Sequence, residues 1–241
     1  MKIDERKIEA QREHYGKLAS DFDLKFKREN PNHIYKIQEI SRVISEHFES
    51  TSHPLDILEL GGGTGIHASH FLALNGRKIG SFFFSDASEE MLKQAEKRLS
   101  DYSNVEYVVS PAEDFTTEVM FDCIYVSGSM HHFANPIKSV AVMKNHLKLN
   151  GLIVVCEPIV WNPVNFVKAA ISREEWGQFK VTRKNVRCYM ETQGGHIVED
   201  KVLHWKGSTN TAENLWPYQK LEKCSALNDL AVMFLIAARF N

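Results

Sequence analysis

The sequence is poor in several features that would fix its class at once. Its four cysteines (Cys123, Cys156, Cys188 and Cys224) are far apart and form no C-x-x-C pair, and Cys123 and Cys156 sit inside apolar runs. That spacing argues against a disulfide framework and a cysteine-built zinc site, so no metal is expected. No stretch approaches 18 apolar residues, which excludes a membrane-spanning helix. The opening Met-Lys-Ile-Asp-Glu-Arg-Lys lacks an apolar signal core, so a cytoplasmic location is expected. Basic charge is not in excess: 29 Lys and Arg face 31 Asp and Glu, for a net charge of −2. No broad positive field therefore points to nucleic acid. The small clusters at Lys25-Phe-Lys27-Arg28 and Arg183-Lys184 read as solvated surface. There is no internal repeat and no low-complexity segment. What remains is an ordinary globular composition, 43% apolar and 25% charged over 241 residues, long enough for a sizeable core.

Periodicity supplies the architecture. A polar, helix-prone stretch runs from Asp4 to about Ala19, and Ile34, Ile37, Ile40, Ile44 and Phe48 mark a second helix. Leu55–Leu60 reads as a first strand, followed by a glycine turn and a helix carrying Ala68, Phe71 and Leu72 inward. Lys78–Asp86, with Phe82-Phe83-Phe84, has the continuous apolar character of a strand covered on both faces. Ser88 caps the next helix. Strands are expected at Val105–Ser110, Phe121–Ser127 and Leu152–Glu157, with a helix from Pro136 to about Leu149 that stops at Asn150-Gly151. After Pro158 the alternation loosens. A helix is expected from Thr182 to Gln193, with Gly194-Gly195 as its stop, then strands at His196–His204 and Ala231–Phe240. Alternating strands and helices over 55–157 predict an α/β, Rossmann-like, doubly wound sheet. One domain over 1–241 is expected: N-terminal helices to residue 53, a core over 54–158, and an acceptor-side portion from 159 on. In that portion Trp161–Gln178 reads as an insertion over the sheet.

The densest chemical signal is Glu59-Leu-Gly-Gly-Gly-Thr-Gly65 at the end of the first strand, with Asp86 ending the second. Glycines at 61, 63 and 65 permit close backbone approach, and bare amides at a helix N-terminus suit an anionic or polar ligand. Asp86 offers a carboxylate to ribose hydroxyls. Gly63-x-Gly65-x-x-Ala68 also satisfies the looser dinucleotide pattern, so these residues alone describe a nucleoside pocket without saying which nucleoside.

The order of segments at the sheet edge narrows this. After the glycine turn come Ser85-Asp86-Ala87-Ser88, Pro111-Ala112-Glu113-Asp114-Phe115, and Ser127-Gly-Ser-Met-His131-His132-Phe133, then Gly151-Leu-Ile-Val-Val. The succession closely resembles the class I S-adenosylmethionine-dependent methyltransferases, most of all those acting on quinones, lipids and natural-product intermediates. It is dense over 55–158 and thin elsewhere. The resemblance implies a mostly parallel seven-stranded sheet whose last strand is antiparallel, with N-terminal helices and an insertion after the fifth strand. It implies that Glu59, Gly61, Gly63 and Gly65 hold the methionine end of S-adenosylmethionine, that Asp86 binds the ribose, and that Ala87 lies against adenine. Ala112 and Glu113 would read the adenine amino edge, and Ser127 and Gly128 would pass beneath the sulfonium. Tyr15, in Tyr15-Gly-Lys-Leu-Ala-Ser-Asp-Phe-Asp23, would approach the carboxylate end from a lid. Ser110-Pro111 replaces the family's frequent Gly-Asp and removes a side-chain adenine contact. Leu149-Asn150-Gly151 replaces the usual Pro-Gly-Gly in a surface turn.

Methyl transfer from a sulfonium needs alignment and water exclusion first, and a base only when the acceptor must lose a proton. His131, with His132 beside it, is the candidate base past the fourth strand. His67 and His70, one turn apart, have no evident metal partner and read as packing or surface residues. Trp161, Phe166, Trp176, Trp205 and Trp216 are candidates to wall an apolar acceptor site. The expected reaction is O- or N-methylation of a small organic acceptor. The alternatives are a nicotinamide-dependent oxidoreductase using Gly63–Ala68 with Asp86, and a cofactor-binding subunit without catalysis. Nucleic-acid methylation is disfavoured by the charge and by Ser127-Gly-Ser-Met where an Asn/Asp-Pro-Pro-aromatic motif would stand. Oligomeric state is open between monomer and homodimer.

Overall fold

The computed structural model describes residues 2–21, 31–204 and 231–241. The sequence-marked Trp205, Trp216, Cys224 and the cluster at Lys25–Arg28 lie outside them. Two helices lead, α1 (Lys2–Leu18) and α2 (Pro31–His47), followed by β1 (Leu55–Leu60), α3 (Ile66–Asn75), β2 (Ile79–Asp86), α4 (Glu89–Arg98) and β3 (Val105–Val109). Then come β4 (Phe121–Ser127), a 3-10 turn at Met130–His132, α5 (Pro136–Asn145) and β5 (Leu147–Pro158). Past β5 lie α6 (Pro163–Ile171), a 3-10 segment at Arg173–Phe179, α7 (Arg183–Thr192), β6 (His196–Leu203) and β7 (Met233–Phe240).

The seven strands form one sheet in the order β3-β2-β1-β4-β5-β7-β6. Only β7 runs antiparallel to its neighbours, β5 and β6. Both faces are covered, which accounts for the unbroken apolar strands. One face carries Leu58, Phe83, Ile124 and Ile153 beneath α5 and α7, through Val140, Met143, Val186 and Met190. The other carries Ile57, Phe82, Phe84 and Tyr125 beneath α2, α3 and α4, through Ile40, Phe71 and Leu92. Each such fully buried side chain contributes about 1.5–3 kcal/mol. Local signals set the helix starts: Ser88 Oγ accepts from Met91 N and Thr182 Oγ1 from Asn185 N, as capping requires.

One boundary differs from expectation. The helix starting at Pro136 ends at Asn145, and Leu147 already belongs to β5, paired with Phe121 and buried. Asn150 takes a left-handed φ of 62°, where the β4–β5 register shifts. The Asn150-Gly151 pair that read as a helix stop therefore marks an irregularity inside a twelve-residue strand. Strand order reverses at β1, between β2 and β4, and the crevice opens at the strand C-termini, where such sheets bind ligands.

Candidate functional site

The glycine turn is built around Asp86. Its Oδ2 accepts from Gly63 N and its Oδ1 from Ser88 N, both at 2.9 Å. Burial nevertheless pushes this carboxyl above its ordinary value, with those amides opposing the shift. Gly63, at φ 60°, has nothing within 4 Å of where a Cβ would stand, so its missing side chain opens space to the crevice. Gly62 does the opposite work: a Cβ there would run into the Phe84 ring.

These residues border a cavity of about 500 Å³. Tyr15, Gly61, Gly63, Asp86, Ala87, Ala112, Glu113, Ser127 and His131 all line it. Glu59 and Gly65 do not. Glu59 lies behind the turn, accepting from Tyr125 Oη at 2.8 Å, and burial lifts its carboxyl to about 8. Gly65, at φ 77°, packs on Ala95 as the N-cap of α3. Glu113 gives one oxygen to Asn135 N at 2.8 Å and so ties down the start of α5. Ser127 Oγ is buried and has no hydrogen-bond partner among the described residues.

The far wall is a network of side chains. Glu157, fully buried, accepts from Met130 N at 2.7 Å and from His131 Nδ1 at 2.5 Å. His131 Nε2 faces Glu175 Oε2 at 3.2 Å, and Glu175 also takes Lys168 Nζ at 2.6 Å. Burial opposes the charge on His131, but the two carboxylates win and lift it to about 9. Glu175 is held far below the usual carboxylate range by His131 and Lys168 against its burial. His131 is thus an imidazolium with both N–H groups committed.

His132 is its opposite. Burial, reinforced by the neighbouring His131 charge, holds it neutral. Its bonding pattern assigns the tautomer: Nδ1–H donates to Glu174 O at 3.1 Å, and Nε2 accepts from Tyr15 Oη at 2.8 Å. Tyr15 belongs to α1, which is pinned across the crevice by Arg12 Nε donating to Ala87 O and Lys7 Nζ to Phe133 O. The helix bridges both rims of the cavity.

The chain is similar to known proteins in part of its sequence and in its fold. Residues 58–153 match the methyltransferase domain family. The likeness to a methyltransferase domain rests on this stretch, about two fifths of the chain. Over 106 residues it is 32% identical to the ubiquinone/menaquinone biosynthesis C-methyltransferase UbiE of Francisella tularensis subsp. novicida, covering 42% of each chain. The Vibrio cholerae UbiE (strain El Tor N16961) is 33% identical over 105 residues, 42% of this chain and 40% of that one. The chain thus matches about two fifths of the length of these relatives. In fold, it resembles the N-methyltransferase NodS of Bradyrhizobium japonicum WM9, solved with S-adenosyl-L-homocysteine, at a TM-score of 0.65 and 14% identity over 95% of this chain and 97% of that one. A putative Haloferax volcanii methyltransferase, solved with its Trm112 activator, gives 0.63 at 16% identity, covering 93% and 96%.

The cavity also holds residues that the sequence pattern did not single out. Lys36, on α2, lines the cavity with 4% of its surface exposed and no ion pair among the described residues. Burial drags its ammonium below the ordinary value, against the pull of Cys156, Glu157 and Glu59. Its signal was legible: Lys36, Ile40 and Val43 share one helix face, and a lysine there interrupts a buried stripe. His67, expected at a packing or surface position, packs against His33 at the cavity wall. Its Nε2 lies 2.7 Å from His33 Nδ1, and burial pushes both imidazoles down, His33 to about 3. Conversely, Trp161, Phe166 and Trp176 do not wall the cavity; all three are exposed, because the segment carrying them turns its polar side inward.

Proposed function

We propose that the chain transfers a methyl group from S-adenosylmethionine to a small organic acceptor, at oxygen or nitrogen. The observation that carries this reading is the pairing, across one cavity, of the Asp86-centred glycine turn with a neutral, oriented His132. The cavity fits the cofactor: it offers backbone space at Gly63, a buried unpartnered Ser127 Oγ and an unpaired Lys36 ammonium among the described residues. Asp86 would take the ribose hydroxyls, Ala87, Ala112 and Glu113 would border the base, and Lys36 with Tyr15 would receive the carboxylate end. Glu59 and Gly65 would act from behind, shaping the turn. Bound there, S-adenosylmethionine supplies a methyl already activated by its sulfonium.

The protein's own contribution is alignment and dryness. Holding nucleophile and methyl in line is worth several kcal/mol of the barrier, of the order of 7–11 kcal/mol at best. Where the acceptor is a hydroxyl or a protonated amine, His132 Nε2 is the proton acceptor, since its lone pair is oriented by the Nδ1–H bond to the Glu174 carbonyl. The acceptor proton moves to Nε2 as the methyl forms its new bond. Tyr15 Oη occupies that lone pair in the closed arrangement and is displaced by, or relays for, the acceptor. His131 keeps a place in the site as a positioning residue that anchors the segment around Glu175.

Calorimetric titration tests the cofactor half directly. Asp86→Ala should weaken binding of S-adenosylhomocysteine at least tenfold while far-UV circular dichroism stays native. Unchanged affinity would sink the assignment. Tight binding with no turnover across phenol, amine and carbon-acid acceptors would favour a non-catalytic subunit instead.

A further inference from the structure

Among the described residues, the exposed apolar side chains are concentrated in one place. Thirteen large hydrophobic residues are exposed among the described residues, and seven of them fall between residues 161 and 179: Trp161, Val164, Phe166, Val167, Ile171, Trp176 and Phe179. An exposed patch of this kind marks an interaction face. The helix α6 is two-sided in register. Asn165, Lys168 and Ser172 line the cavity, whereas Val164, Val167 and Ile171, one residue earlier in each case, face outward, with Ile171 81% exposed. Trp161 stacks on Phe166 at 6.2 Å, and Phe179 meets both rings edge-on.

Charge follows the same division. Between residues 159 and 187 stand six cations (Lys168, Arg173, Lys180, Arg183, Lys184 and Arg187) and two anions, a local charge of +4 in a chain of −2. Glu175 is buried on His131 and Lys168, and Glu174, which is part-exposed, accepts from Ser172 Oγ. Arg173 lies over the Trp176 ring at 5.8 Å, and a shallow notch beside Trp161 is lined by Arg183, Lys184 and Arg187. Asp200, bonded to Arg183 and Arg187, is the notch's carboxylate.

We infer that this face, α6 with the following 3-10 segment, docks on an anionic lipid surface. An outward apolar helix face, tryptophans beside it and the cations Arg173, Lys180 and Lys184 at its rim form the pattern of an interfacial element. No helix among the described residues is long and apolar enough to cross a membrane, so the contact is peripheral. Because the inner side of the same segment lines the cavity, docking would place the cavity wall at the lipid boundary, where an apolar acceptor is found.

Co-sedimentation of the full chain with vesicles tests this without any methylation, so its failure would leave the proposed reaction untouched. Phosphatidylcholine–phosphatidylglycerol vesicles should pull the protein down, with added salt releasing it, and phosphatidylcholine alone should hold it far less. Tryptophan emission should shift to the blue on binding. The double variant Val164→Glu, Ile171→Glu changes two exposed side chains outside the cavity and should reduce partitioning about tenfold or more. Three results overturn the inference: no difference between the two lipid compositions, a lipid-free homodimer that the double variant dissociates, or patch tryptophans already shielded from iodide by the rest of the chain.

Discussion

The two walls of the cavity are made in different ways. On the glycine-turn side, polar groups are held by backbone close in sequence or strand register: Asp86 by Gly63 and Ser88, the turn itself by Gly61 N and Gly62 N donating to Ser85 O. On the histidine side, side chains far apart in sequence hold one another: Tyr15 with His132, His131 with Glu157 and with Glu175. Backbone-held geometry survives most side-chain changes. A buried charge network fails when one member is removed, because its partner is left uncompensated.

The strongest test of that contrast is Gly177→Ala. A Cβ at Gly177 would sit inside the van der Waals shell of the His131 carbonyl oxygen. The 3-10 segment would have to lift off, and a loss above about 3 kcal/mol is expected by chemical denaturation, as for severe overpacking. A near-neutral result would mean the two segments are not in contact.

Next in size is His132→Gln. A general base typically contributes 10²–10⁴-fold, so kcat should drop about a hundredfold or more on hydroxyl acceptors, with cofactor affinity preserved. Equal loss on a neutral tertiary amine, which has no proton to lose, would argue for a structural role.

The smallest effect lies in the pH dependence of stability. His131 is raised from 6.5 to about 9 in the folded protein. Its contribution is therefore fully present below pH 6.5 and fades as pH rises through 9. His33 has the opposite sign: lowered to about 3, it favours the fold above pH 6.5 and penalises it as pH falls. Thermal melts should show an alkaline limb that His131→Gln flattens. If the limb persists in that variant, the imidazolium is not its source.

Legibility in the sequence follows the same line between the two walls. Strands read well where apolar runs meet turn residues, and the meeting of Asp86 with the glycine turn depends on backbone partners, which strand order alone brings together. The start of β5 was missed because Asn150, in a left-handed conformation, is a helix stop in most contexts and here bends a strand instead. The pairing of His131 with Glu175 was not legible, since it depends on how the segment after α6 folds back. The two-sided register of α6 was readable only once the cavity fixed which side was inside. Aromatic residues alone suggested a pocket wall, whereas the exposure of Trp161, Phe166 and Trp176 makes these three an outer face.

The position of β7 adds a consequence in time. This strand lies between β5 and β6, and among the described residues β6 pairs only with β7, some thirty positions further along. Five parallel strands can assemble on the ribosome in order, but the edge through Met233–Phe240 can close only after that last strand is made. Before then β5 presents an open, wholly apolar edge, Leu152 to Cys156, to whatever is near. A nascent chain that ends short of residue 233 therefore carries an open strand edge available for pairing with other chains.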